Sequence, residues 1–386
     1  MRTLTVGFLA SMLLLGQRST QLPVPAAPGS SGPHLTRGEA GELYLIWMEP
    51  IEKGRTRLQL AVLEKESWRV LGTIADGPNW FVNWADYPTV LALRDGRFAA
   101  HWLEKRGSGK YSYGMKAALV DRAGVAGKLF FDPVTVGEGQ YTGFASLLEY
   151  GGKLGISYLG PGPKGGEEDK VLRFAEFAAD GKLNSDVIVD ADVCTCCQTA
   201  LAITRHGPII AYRDHDAGEI RDISVVSYRN GKWSSPRPVH RDGWQINACP
   251  VNGPAIAVSD DRVAVAWYTA AGDTPTIKVA FSGDSGETFQ TPLTLNMRKP
   301  LGRVAVVNLP DGSVAVSWLE KKDAGGADLL VRRVWPGGRV GKALLVASAD
   351  SGRNTGFPKM VYTDNRLFLA WTGERIHTVS ISVPEN

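Results

Sequence analysis

The sequence predicts an all-β protein, a β-propeller of four-stranded antiparallel blades, with seven blades expected and a six-bladed ring as the alternative. Three observations predict it. An alternating apolar strand ending in an aromatic recurs as "LYLIWMEP", "FAAHWLEK", "LGISYLGP", "PIIAYRDH", "VAVAWYTA", "VAVSWLEK" and "LFLAWTGE". Its aromatics are Trp47, Trp102, Tyr158, Tyr212, Trp267, Trp318 and Trp371, at intervals of 55, 56, 54, 55, 51 and 53 residues. Such a period, with almost no amphipathic helical pattern, marks radial repetition of one small sheet. Composition agrees: 44 Gly, 22 Pro and 11 Trp describe a turn-rich chain with many aromatic strand residues. Finally, the clearest copy divides into four strands, "NGPAIAVSDD", "RVAVAWYTA", "TIKVAFS" and "FQTPLTLN". The last unit ends at "VSISVPEN" without a fourth strand, so a segment near residues 20 to 32 is expected to pair onto it and cover its edge.

The ends and the charge bound the rest. Arg2 and the apolar run Leu4 to Gly16 read as an export signal over residues 1–18, too short to span a bilayer as a mature helix. A periplasmic or extracellular monomer without a membrane span is therefore expected. Residues 19–30, rich in Pro, Ala, Ser and Gly, read as a flexible tether or the closing strand, and 31–386 as a single propeller domain. Lys plus Arg number 43 against 40 acidic residues, evenly spread, which argues against a nucleic-acid partner or a polybasic membrane surface.

One motif carries a family resemblance. "SGDSGETF", Ser282 to Phe289, resembles at every defining position the S-x-D-x-G-x-[TS]-[FW] Asp box of the sialidase (neuraminidase) superfamily, the BNR-repeat proteins. The resemblance implies a propeller in which the box closes the turn between third and fourth strands. Ser282, Asp284, Gly286, Thr288 and Phe289 would fill its roles, Asp284 accepting from turn N–H groups, Gly286 taking positive φ and Phe289 covering the blade edge. Sialidase chemistry is not implied. The R-I-P motif is absent, and no Tyr/Glu pair can be matched residue by residue.

Four cysteines raise the functional question. Cys194, Cys196 and Cys197 crowd "DVCTCCQTA", and Cys249 stands in "INACPVNGP". Cys194 precedes Tyr212 by eighteen residues and Cys249 precedes Trp267 by eighteen, so the two occupy equivalent positions on neighbouring blades. All four thiols should meet on the face where loops run into the inner strands, here called the top face. In an exported protein two disulfides are expected, one joining Cys249 to the cluster and one short bridge within it. The alternative is a soft metal, copper or zinc, on the four sulfurs. Apart from that alternative no cofactor is implied.

Beside them lies "YRDHDAGEIRDI", which leaves the second strand of the same blade. Arg213 and Arg221 are candidates for an anion clamp, with Arg303 and Arg353 reaching in from later blades. The alternative is a solvated loop whose charges pair among themselves. Asp214 and Glu219 are the candidate acid and base of a glycosidase-like pair. Trp84, Tyr87, Tyr141 and Trp244, with Asn252, are candidates to stack on or bond to a sugar, against interblade packing as the alternative. Two function classes follow: a propeller that binds a glycan, a small anion or a protein partner at its top face, or a glycoside hydrolase with a non-sialidase site.

Overall fold

The computed structural model describes residues 19–133, 140–164 and 169–385; the export-signal segment lies outside the described residues. Seven antiparallel sheets form seven blades, and the six-bladed alternative falls away. Inner strands are Ser31–Arg37, Thr89–Ala92, Gly143–Tyr150, Ala200–Thr204, Ala255–Ser259, Pro300–Asn308 and Lys359–Thr363. Each touches the inner strands on both sides, and the seventh touches the first, so the ring closes around an axis. Among the described residues the only helical pieces are three-residue 3₁₀ turns, and no helix is long and apolar enough to cross a membrane.

Closure uses the N-terminal segment. Ser19–Gln21 pairs antiparallel with Ile376–Ser382, Thr20 opposite Ser380, and supplies the fourth strand of blade 7. The residues after it are fixed rather than trailing. Leu22, Val24 and Ala26 are buried with Leu43, Trp47 and Phe368 between blades 7 and 1. The low-hydropathy composition of this stretch hid three alternating apolar residues, enough to cover the seam.

All seven repeated aromatics are buried, none more than 6% exposed. Six of them have a hydrogen-bond partner for their polar end, and Trp371 stacks on His377. Trp47, Trp102 and Trp318 donate their indole N–H to the carboxylate two residues on, Glu49 at 3.2 Å, Glu104 at 2.9 Å and Glu320 at 2.9 Å. Residues i and i+2 share a strand face, so a W-x-E sequence places donor and acceptor side by side. Each carboxylate is then paired with a cation: Arg57, Lys116 or Arg298. Tyr158 and Tyr212 bond Asp186 and Asp190 instead, and Trp267 bonds Asp242.

The Asp box forms on blade 5 between Thr276–Ser282 and the short fourth strand Leu293–Thr294. Asp284 accepts from Ser282 Oγ at 2.6 Å, Thr288 N at 2.9 Å and Thr288 Oγ1 at 2.6 Å. Burial alone would raise its pKa, but these donors outweigh it and hold the carboxyl down at about 2. Gly286 sits at φ +83°, and Phe289 packs against the neighbouring core.

Candidate ligand site on the top face

The loops into the inner strands are joined blade to blade by a repeated device. A polar side chain of one loop accepts a backbone N–H of the next: Asp86 Oδ1 from Phe144 at 2.8 Å, Gln198 Oε1 from Gly253 at 3.0 Å, Asn252 Oδ1 from Arg303 at 2.8 Å. Close approach requires glycine at the donating residue, as at Gly253, or immediately before it, as at Gly143 and Gly302. A Cβ on Gly143 would lie 2.0 Å from Asp86 Oδ2, and one on Gly302 would lie 2.1 Å from Asn252 Oδ1.

Inside this ring lies an axial cavity of about 280 Å³, lined by inner-strand residues of all seven blades. His34, Asp86, Tyr87 and Lys359 are its titratable groups. Burial pushes the Asp86 carboxyl up to about 7, although Phe144 N–H and the Tyr113 hydroxyl at 2.8 Å both favour the anion. Burial likewise lowers the Lys359 ammonium to about 7. Its Nζ lies 3.6 Å from the Tyr87 ring centroid. His34 is kept neutral by burial and by the Lys359 charge. The cavity thus holds one acid and one amine that change charge near neutral pH.

A cleft of about 430 Å³ adjoins it, lined by residues including Asn83, Trp84, Tyr87, Asn354 and Phe357; Tyr87 and Phe357 line both spaces. Half-buried Trp84 stacks on Phe357 with centroids 5.8 Å apart at 19°. Arg303 and Arg353 sit 4.9 and 5.8 Å from the Trp84 ring. Of the sequence-expected ligand residues, Trp84, Tyr87 and Arg353 gather here.

The other expected ligand residues are occupied structurally. Arg213, 2% exposed, donates to the carbonyls of Asn252 (3.1 and 2.8 Å), Arg221 (2.5 Å) and Tyr268 (2.7 Å) and covers the Trp244 ring. In this arrangement it ties together the Asn252, Arg221 and Tyr268 backbone. Arg221 donates to Glu219 at 2.8 Å and to Cys194 Sγ at 3.5 Å. Arg303 donates to the Gly352 and Gly356 carbonyls at 2.9 and 3.2 Å, and burial lowers its pKa to about 10. Asn252 is spent between Arg303 N and the Pro250 and Leu301 carbonyls. Trp244 is buried edge-on against Tyr268. Tyr141, also buried, stacks on Tyr113 at 5.0 Å and donates to the Thr195 carbonyl, bracing the cysteine loop.

The candidate carboxylates Asp214 and Glu219 stand apart from both spaces. Asp214 accepts from Ser224 Oγ at 2.7 Å and from His215 N at 2.9 Å, and burial with nearby Asp190 and Asp192 raises it to about 6. Glu219 is held down by Arg221, with His215 Nε2 3.3 Å away. Neither lines the axial cavity or the cleft. The charges of this loop pair mainly with one another.

Asp86, His34, Lys359 and Phe357 were missed by sequence reasoning. His34 and Lys359 each directly follow a proline, in "GPH" within the inner strand Ser31–Arg37 and in "FPK" just before Lys359–Thr363, but that pattern does not by itself direct a side chain to the axis.

The cysteines do meet. Cys194 Sγ lies 3.8 Å from Cys196 Sγ and 3.6 Å from Cys197 Sγ, and Cys249 reaches Cys196 by a thiol hydrogen bond. No disulfide joins any of the four in this structure. Hydrogen bonds with Cys196 and Cys197 hold the Cys194 thiol well below its usual pKa against the effect of burial, with the Arg213 charge assisting.

No family model matches the sequence, and no curated protein is similar enough to count as a relative. Solved structures do match. An α-L-arabinofuranosidase of Fusarium graminearum, in complex with an iminosugar inhibitor, is 12% identical over 92% of this chain and 93% of its own, with a TM-score of 0.53. A Dyadobacter fermentans protein of unknown function is 13% identical over 95% and 98%, with a TM-score of 0.55. A microbial sialidase matches less well, 11% identical over 92% of this chain and 65% of its own at 0.49, and carries no weight alone. At these identities the likeness concerns architecture alone: a seven-bladed propeller like that of the arabinofuranosidase.

Proposed function

We propose that this chain is an exported propeller that binds a small sugar at its top face. The observation that supports it is a pair of neighbouring spaces that share Tyr87 and Phe357, an axial cavity lined by the Asp86 carboxyl and the Lys359 amine and a cleft lined by Trp84. The cavity lies just below the usual range for ligand pockets, which suits a monosaccharide-sized group entering from the cleft. The fold likeness to an enzyme complexed with an iminosugar supports the ligand class. Binding is favoured over hydrolysis because, among the described residues, Asp86 is the only carboxylate lining the cavity, whereas glycosidases generally use two. A second reading, proton transfer by Asp86 to a bound substrate, is favoured by its pKa of about 7.

Asp86→Asn tests both readings, since the amide keeps an acceptor for Phe144 N–H. On a glycan panel the parent should bind at least one sugar, and the variant should bind it about tenfold more weakly through loss of a charge-assisted bond. Release of sugar from the same panel, abolished in the variant, would favour the hydrolase. The pH dependence of stability gives an independent check. The Asp86 pKa is raised from 3.8 to about 7 on folding, so its contribution is full below pH about 4 and lost as pH rises through 7. Asp86→Asn should remove that slope; an unchanged profile would show that Asp86 ionises as freely as a surface acid.

A further inference from the structure

Three sulfurs lie on one loop with their ligand atoms all within 4.8 Å of one another, and two of the three residues are buried. Ordinary packing does not require such an arrangement, because one buried thiol would fill the same space as a small hydrophobe. The spacing is informative. Four sulfurs placed tetrahedrally around a cation with bonds of about 2.3 Å stand about 3.8 Å apart. Those observed are 3.6 and 3.8 Å apart. A disulfide would need about 2.05 Å, so any pair must move by well over an ångström to form one.

The loop is held in place from three sides. Cys194 N donates to Arg213 O at 3.1 Å, Val193 bridges Asp214, and Tyr141 donates to the Thr195 carbonyl between the cysteines. Arg221 directs Nη1 at Cys194 Sγ from 3.5 Å. Guanidinium N–H groups directed at a sulfur stabilise its thiolate form and balance the excess negative charge of a thiolate-bound metal.

We propose that Cys194, Cys196 and Cys197 hold a soft, closed-shell metal cation, Cu(I) on three sulfurs or Zn(II) when Cys249 supplies a fourth. Thiolate ligands select these ions, and the site lies outside the sugar cavity, so it stands or falls apart from the sugar reading. On binding, each thiol that becomes a ligand releases its proton to solvent and donates a sulfur lone pair; no electron is transferred.

The protein, reduced and kept free of oxygen, would be titrated with Cu(I) against a chromogenic Cu(I) chelator, and separately with Co(II) as a spectroscopic stand-in for Zn(II). One equivalent should bind, with thiolate-to-metal charge-transfer absorption. Cys197→Ser should bind about 100-fold more weakly. Cys249→Ser, which changes an exposed thiol, should keep Cu(I) and lose the tetrahedral Co(II) spectrum. Cys196→Ser, only half-buried, serves should Cys197→Ser not fold, and should show the same loss as Cys197→Ser. Absence of binding by the reduced parent would overturn the proposal. So would unchanged affinity in a folded Cys197→Ser or Cys196→Ser variant, or protein isolated from the cell envelope without metal and two or four hydrogens light from disulfides.

Discussion

Arg213→Ala should lower stability by about 4 kcal/mol and not merely weaken a ligand. The guanidinium makes four hydrogen bonds to three carbonyls from the loops of blades 4 and 5. Each buried carbonyl left without a donor costs about 1–3 kcal/mol, and the Trp244 ring loses its cover as well. Arg213→Lys should recover little, because a single ammonium cannot span the same three acceptors. Urea unfolding followed by fluorescence measures this directly. A variant with the parent's midpoint would mean that the carbonyls find other donors and that the guanidinium is free for a ligand after all.

Glu320→Ala should be comparably damaging, about 3–5 kcal/mol. The side chain is fully buried and accepts from Trp318 Nε1, Met297 N and Arg298 N and Nε, tying the second strand of blade 6 to the loop before its inner strand. Removing it leaves an indole N–H, two amides and a guanidinium without their acceptor. Glu320→Gln should recover part of the loss, since the amide oxygen can still accept one or two of these bonds. Thermal melts of the two variants provide the comparison; equal melting temperatures for Ala and parent would show that the W-x-E pair is ornamental.

The repeat was legible because a propeller writes the same strand pattern seven times, and the buried aromatic at the end of each second strand is set by local alternation alone. The Asp box was legible for the same reason: the side-chain bonds of Ser282 and Asp284 that close the turn run within seven residues, from Ser282 to Thr288. The site was less legible. Arg213 donates to Asn252, 39 residues away, and to Tyr268, 55 residues away. Nothing in "YRDHD" distinguishes an arginine aimed at carbonyls from one aimed at an anion, since the donor fork serves either. Asp86 was overlooked because its raised pKa arises from enclosure by seven blades, whereas its neighbours in "NWADYP" only suggest a loop. The thiols were placed on one face by their spacing from the strand aromatics, a count that survives because blades are nearly equal in length. Their distances depend on side-chain directions that the sequence does not state.

The top-face cavity and its cleft are the proposed place where a sugar binds. Trp84 lines the cleft from a loop, half-buried against Phe357, and belongs to no strand. An equilibrium titration of Trp84→Ala against the parent, using a sugar that the panel shows to bind, is the most direct measurement. A loss of about 2 kcal/mol, roughly thirtyfold in affinity, with the melting temperature within a few degrees of the parent, is the predicted result. Equal affinity in a folded Trp84→Ala variant would place the ligand elsewhere and contradict the account.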